Sequence, residues 1–257
     1  VQLGTTKSIT CPACKSIIAL DSGVGAELKF AEQAHPIRPI IPLGAKGQLA
    51  GVHWQVVGFQ ARRGQEKGDD EKFDWSEYLL FNQKRGFSFL VDASDGWSLV
   101  SPTTGAPQMT SNGRSASYLG TTYQRQSAYE AETLYVLGEF YWNVERGQRT
   151  SNCDFASAKG LLSLEKTPSE VTWSSGDKLS SDAVAKAFDM MDKADLLKRE
   201  DPGPFVAAKG SASTILYFVA IIVLLLLSEL SDCSGSTGGS RSAGGSFGGF
   251  STGGGHK

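Results

Sequence analysis

The chain has 257 residues, of which 40% are hydrophobic and 20% charged, and its formal net charge is −2. That length holds one medium domain with appendages, and the roughly 200 residues before a late apolar stretch suffice for a real core. A near-neutral charge excludes the basic face that nucleic acid needs, and four cysteines at 11, 14, 153 and 233 do not make a secreted disulfide framework but suit a reducing compartment.

Residues 1–34 open with ITCPACKSIIALDSG, where Cys11 and Cys14 make a CPxC knuckle. A tight turn there lets two thiolates face one metal ion, but tetrahedral zinc needs four ligands and no second CxxC follows. His35 precedes Pro36, which is poor ligand geometry, and Cys153 stands alone in a distant region. Three readings stay open: half of a zinc ribbon whose other knuckle lay upstream, a degenerate metal-free ribbon, or a redox pair. Zinc is expected as a cofactor only in the first case. The chain starts at Val1 without methionine, and no signal peptide appears, so the sequence is expected to be a fragment.

Residues 35–42 read as a proline-punctuated linker. Residues 43–180 read as a β domain. Strand signals run through LGAKGQLAGVHWQVVGFQARR, a charged loop (64–72), FDWSEYLLFN, a QKRG turn and FSFLVDASDGWSLV. Residues 102–117 are polar and turn-rich, as a surface loop would be. A second cluster follows: TTYQRQS, ETLYVLGEFYWNV, TSNCDFAS, GLLSLEKT and EVTWSSG. Short strands at even spacing predict a mainly β fold, an antiparallel barrel- or sandwich-like body.

Residues 181–200 change to helical periodicity, with Ser181 as the cap and Val184, Phe188 and Met191 on one apolar face. Residues 201–210, which include the Pro-Gly-Pro run 202–204, make a linker. Residues 211–230 then predict one transmembrane helix. The window 210–228 holds no charge and spans about 28 Å as a helix, close to the hydrocarbon thickness of a bilayer. Lys193, Lys198, Arg199 and Lys209 precede it, and only Arg241 follows soon after. The positive-inside rule therefore places the N-terminal body in the cytoplasm. Residues 231–257 are low-complexity Gly/Ser, too poor in apolar side chains to fold, and are expected as a disordered tail across the membrane.

Four stretches carry a resemblance. PLGAKGQLAGVHWQVVGFQ (42–60), WSEYLLFNQKRGFSFLVDASDGWS (75–98), GEFYWNVERGQRTSNCDF (138–155) and LLSLEKTPSEVTWSSGDKLS (161–180) occur in this order. Together they resemble the bacterial domain-of-unknown-function family 4178. The resemblance implies the β domain itself, zinc-ribbon-like knuckles before it and a membrane segment after it, of which this chain carries one knuckle. Neighbouring genes of the family often encode phage-shock-protein-A-like and polyamine-synthase-like proteins, which implies an assembly at the bacterial inner membrane. The family has no established catalytic mechanism to carry over.

The residues give an enzyme little footing. The histidines are His35, His53 and His256, none in a GxSxG, HExxH or P-loop context, and a Cys153–His53 dyad has no support in spacing. Two acids lie within aromatic strands: Glu77 beside Trp75 and Tyr78, and Glu139 before Trp142. Either these five residues line a groove in which a carboxylate between aromatics holds a cation, or they are barrel core with a surface glutamate. The expected function is thus a membrane-anchored, non-enzymatic adaptor, with the bilayer and a phage-shock-protein-A-like protein as partners and a role in envelope stress. The alternative is a sensor of a small cationic ligand such as a polyamine.

Overall fold

The computed structural model describes residues 4–11, 16–20 and 37–201. The expected membrane helix at 211–230, the tail at 231–257, and Cys14 lie outside these residues. Among the described residues no helix is long and apolar enough to cross a membrane.

Among the described residues thirteen strands follow one another: β1 (Ser8–Thr10), β2 (Ile17–Ala19), β3 (Lys46–Leu49), β4 (Val52–Glu66), β5 (Lys72–Asn82), β6 (Gly86–Ala93), β7 (Gly96–Pro102), β8 (Gln108–Met109), β9 (Ser115–Tyr118), β10 (Thr121–Phe140), β11 (Arg149–Ser157), β12 (Gly160–Lys166) and β13 (Val171–Leu179). Two four-stranded meanders, β4 to β7 and β10 to β13, form the body. Both seams between them are closed: β7 pairs with β13, and β10 pairs with β4 from Tyr129 opposite Glu66 to Gly138 opposite Gly58. The result is a closed, eight-stranded antiparallel barrel, which decides between the two architectures expected from the sequence. Register shifts between Val56 and Gly58, Arg125 and Ser127, and Thr133 and Tyr135 supply the local bending that closure requires.

β10 organises the rest. Its twenty residues pair with β9, β11, β4 and β1 in turn, so two expected strands are one. The expected surface loop at 102–117 is also partly ordered, since β8 and β9 form a ladder that joins β10. The described part of the expected linker, 37–42, docks, for Ile41 is fully buried against the outer wall.

Alternation along each strand sorts side chains between the inside and the outside. On the outer wall Phe59, Ala61, Tyr78, Leu80, Leu90 and Trp97 form one cluster with Val184, Ala185, Phe188 and Leu197. The last four belong to a helical layer that differs from the single helix expected at 181–200. It consists of α1 (Ser181–Ala187), a 3-10 turn (Met191–Lys193) and α2 (Ala194–Leu197). Asp189 adopts the left-handed φ of 53°, which breaks the helix and turns Met191 outward to 50% exposure. The cap is Ser180, whose hydroxyl accepts from Ala183 N, and Ser181 instead binds Asp201 through its amide and its hydroxyl.

The layer lies close to the wall. A Cβ on Gly47 of β3 would sit 2.7 Å from the Ala187 carbonyl oxygen and 2.8 Å from the Phe188 ring. At the closing seam Gly138 has φ of 99°, and a Cβ there would collide with the Val57 carbonyl oxygen. The variant G138A is therefore expected to lose about 2–4 kcal/mol of stability in chemical denaturation. G120A, at a turn where the same φ strain acts but the space is open, should lose less.

Candidate functional site

Arg62 identifies the inside of the barrel. It lies on β4, yet its guanidinium reaches Glu165 on β12 at 2.6 Å and donates to Thr150 Oγ1 on β11 at 2.6 Å. β10 and β11 separate β4 from β12 in the sheet, so this contact crosses the interior. Side chains in phase with Arg62, Glu165 and Thr150 share that space: Gln60, Trp75, Glu77, Asn152, Asp154 and Ser163. An eight-stranded barrel is just wide enough for side chains to fill it. Here much of the filling is polar, and Arg62, Glu77 and Glu165 are each at most 2% exposed.

Each charge has specific partners. Glu77 lies 3.6 Å from Arg62 and accepts from Trp75 Nε1 at 2.6 Å and from Gln60 Nε2. The guanidinium also lies over the Trp75 ring, 5.5 Å from its centroid. Asp154 accepts from Ser163 at 2.8 Å and from Ser127 at 3.4 Å. Burial is the largest influence on Arg62 and works against its charge, but Glu165 and Glu77 together hold it protonated above its ordinary range. Burial pushes Glu77 up to about 7, against the pull of Arg62, and pushes Glu165 up as well. Glu165 is the nearer partner of Arg62, so Glu165 carries the paired charge and Glu77 keeps its proton longest.

The five residues expected to line a groove are divided by this geometry. Trp75 and Glu77 meet inside the barrel. Tyr78 faces the outer wall, with its ring 5.1 Å from Phe59 and its hydroxyl accepting from Ile40 N at 3.1 Å. Trp142 packs edge-on against Phe140 at 5.0 Å and is 1% exposed. Glu139, next to the β1 pairing, accepts from Thr6 Oγ1 at 3.1 Å. Of the knuckle, Cys11 is a half-buried free thiol whose amide donates to Ser16 O at 2.9 Å. His53 pairs with Gln48 at the exposed start of β4, whereas Cys153 opposes Ala128 and Leu164, and burial pushes its thiol up.

Arg62, Thr150, Asn152, Asp154 and Glu165 are absent from the sequence-based site. A signal exists in β11, where Thr150, Asn152 and Asp154 alternate with Ser151, Cys153 and Phe155. Alternation alone would send the polar set to solvent. The barrel does the reverse, placing Phe155, Leu162 and Leu164 on the outer face in a cluster with Ala116 and Tyr118 of β9.

These features define a closed antiparallel β-barrel with an ion-paired interior. Over residues 42–181, more than half of its length, the chain matches the family described as a domain of unknown function, DUF4178, and it belongs to that family. No curated protein and no solved structure matches the chain.

Two outcomes follow from the buried charges. R62M leaves two carboxyl groups without their cation and should cost about 3–5 kcal/mol in denaturation, while R62M/E77Q/E165Q should recover much of that loss. Glu77 holds its proton to about pH 7 when folded, against an ordinary value of 4.5. Its stabilising contribution is therefore complete below about pH 4.5 and lost as pH rises through about 7. The melting temperature of the native chain should fall across that window relative to E77Q, whose profile should be flatter.

Proposed function

We propose that this chain is a membrane-anchored, non-enzymatic adaptor whose barrel recruits a protein partner at the bacterial inner membrane. The observation that carries the reading is the way residues 181–201 are fixed to the barrel wall. Arg199 makes a two-pronged bond to Asp92, at 2.6 and 2.8 Å, and its guanidinium lies over the Trp97 ring at 5.3 Å. Trp97 Nε1 donates to the Leu197 carbonyl at 2.7 Å, and Asp201 accepts from both the amide and the hydroxyl of Ser181. Planar, charge-assisted pairs of this kind give geometric specificity beyond simple attraction.

Residues 181–201, which precede the apolar stretch at 211–228, are thus bonded to the barrel wall. A partner recruited at the membrane would then meet the barrel wall and this segment as one surface. Inside the barrel Arg62 is engaged by Glu165 and Glu77. A phage-shock-protein-A-like partner and an envelope-stress role fit the expected location.

Affinity purification of the full-length protein from native membranes tests this reading, beside a form lacking residues 43–180 and a form lacking residues 210–257. A membrane partner should copurify with the full chain and be lost from both truncations. A partner that persists without the barrel would overturn the proposal.

A further inference from the structure

The two strands of the closing seam part at Gly138 and Gly58, where the pairing of β10 with β4 ends. Beyond that point β4 pairs with β3, from Gln55 opposite Lys46 to Val52 opposite Leu49. β10 pairs instead with β1, at Glu139 and Phe140. An open cleft of about 900 Å³ lies where they part, lined by Lys46 of β3 and by Gly4 and Thr5, which lead into β1. That volume is within the range of small-molecule sites, and the mouth of a β-barrel is one of their usual places.

Strand register builds the floor of this cleft. Lys46 opposes Gln55, Gln55 opposes Phe81, and Phe81 opposes Phe87, so one row crosses β3, β4, β5 and β6. Opposed residues share a face of the sheet. Here it is the inner face, because Leu79 and Phe89, two residues from Phe81 and Phe87, belong to the apolar interior. All four residues of the row line the cleft. One end of the row is aromatic: the rings of Phe81 and Phe87 are 5.0 Å apart, and Phe87 stacks on Tyr141 at 4.2 Å. The other end carries the Lys46 ammonium and the Gln55 amide, with His53 also in the lining. Lys46 makes no ion pair among the described residues, and no acidic side chain lines the cleft. Three strand spacings, about 14 Å, separate the two ends.

We propose that this mouth binds an amphipathic carboxylate, with its apolar body on Phe81 and Phe87 and its head group at Lys46 and Gln55. The carboxylate accepts a charge-assisted hydrogen bond from the ammonium and a second from the amide. A neutral apolar molecule would leave the cation unused, and a small inorganic anion would leave the half-buried rings uncovered. A ligand with both parts uses the whole row. Its charge is opposite to that of the cationic ligand expected as an alternative from the sequence, and none of Trp75, Glu77, Tyr78, Glu139 and Trp142 lines this cleft. The site is independent of partner recruitment.

The test uses the full-length chain in detergent at about pH 7, where lysine is protonated and carboxylates are ionised. Its unfolding midpoint is followed while sodium hexanoate, sodium phenylacetate, sodium acetate or hexylammonium chloride replaces sodium chloride at constant ionic strength. The midpoint should rise saturably with hexanoate or phenylacetate. It should not rise with acetate, which lacks the body, or with hexylammonium, which lacks the anion. A larger rise with hexanoate identifies an aliphatic body, and a larger rise with phenylacetate an aromatic one. K46Q changes an exposed position, so it should fold as the native chain does and weaken the apparent affinity about fivefold or more. The proposal is overturned by a midpoint indifferent to both carboxylates, by an equal response to acetate or hexylammonium, or by a K46Q variant that responds like the native chain.

Discussion

The guanidinium of Arg62 spans the barrel, and the inside of the molecule is arranged around it. An apolar filling would have closed the same eight strands with less desolvation, because transferring charges out of water is expensive even when they pair. This barrel instead commits strands β4, β5, β11 and β12 to a shared polar contact, through Arg62, Glu77, Thr150 and Glu165. Because the partners are fixed in number and direction, a slip of any one of these strands by a residue would bury a charge without its partner. The polar interior therefore specifies register as much as it stabilises, a service that interchangeable leucines would not perform.

Outside the barrel the same economy of charge holds the helical layer. The apolar contacts of Val184, Ala185, Phe188 and Leu197 with the wall provide area without direction. Direction comes from Asp92 with Arg199 and from Ser181 with Asp201, two pairs that sit side by side, since Arg199 N also donates to Ser181 Oγ. Asp92 is itself 8% exposed, and burial pushes its carboxyl up against the pull of Arg199. Breaking the pair would leave a buried acid beside the Trp97 ring, which gives the layer a reason to stay closed.

The two ends of the barrel differ in their lining. Toward β1 and β2, the interior is apolar and aromatic, with Phe89, Phe140 and Trp142 packed together. Toward the β4–β5 loop it turns polar, and an acidic cleft opens beside Tyr129 and Asn152.

Much of this protein follows from local chemistry. Even spacing of β-branched and aromatic runs between Gly, Asn and Asp turns is enough to establish a mainly β, antiparallel body, and four ordered motifs point to the family that the chain belongs to. Turn chemistry is equally local: Asn82 Oδ1 accepts from the amides of Lys84 and Arg85 and so builds the QKRG turn from neighbours alone. Barrel closure is not local, because it depends on Gly138 meeting Gly58 across eighty residues of chain, a close approach that no strand pattern reveals. Nor is the sense of each pleat. Alternation in β11 marks two faces but cannot say which is inside, and the usual rule of polar outward fails where a distant arginine makes the polar face the better interior. Glu77 beside Trp75 was visible as a pair of neighbours in the sequence. That its partner would be Arg62, with Glu165 beyond, was settled only when strands far apart in the chain closed around one charge.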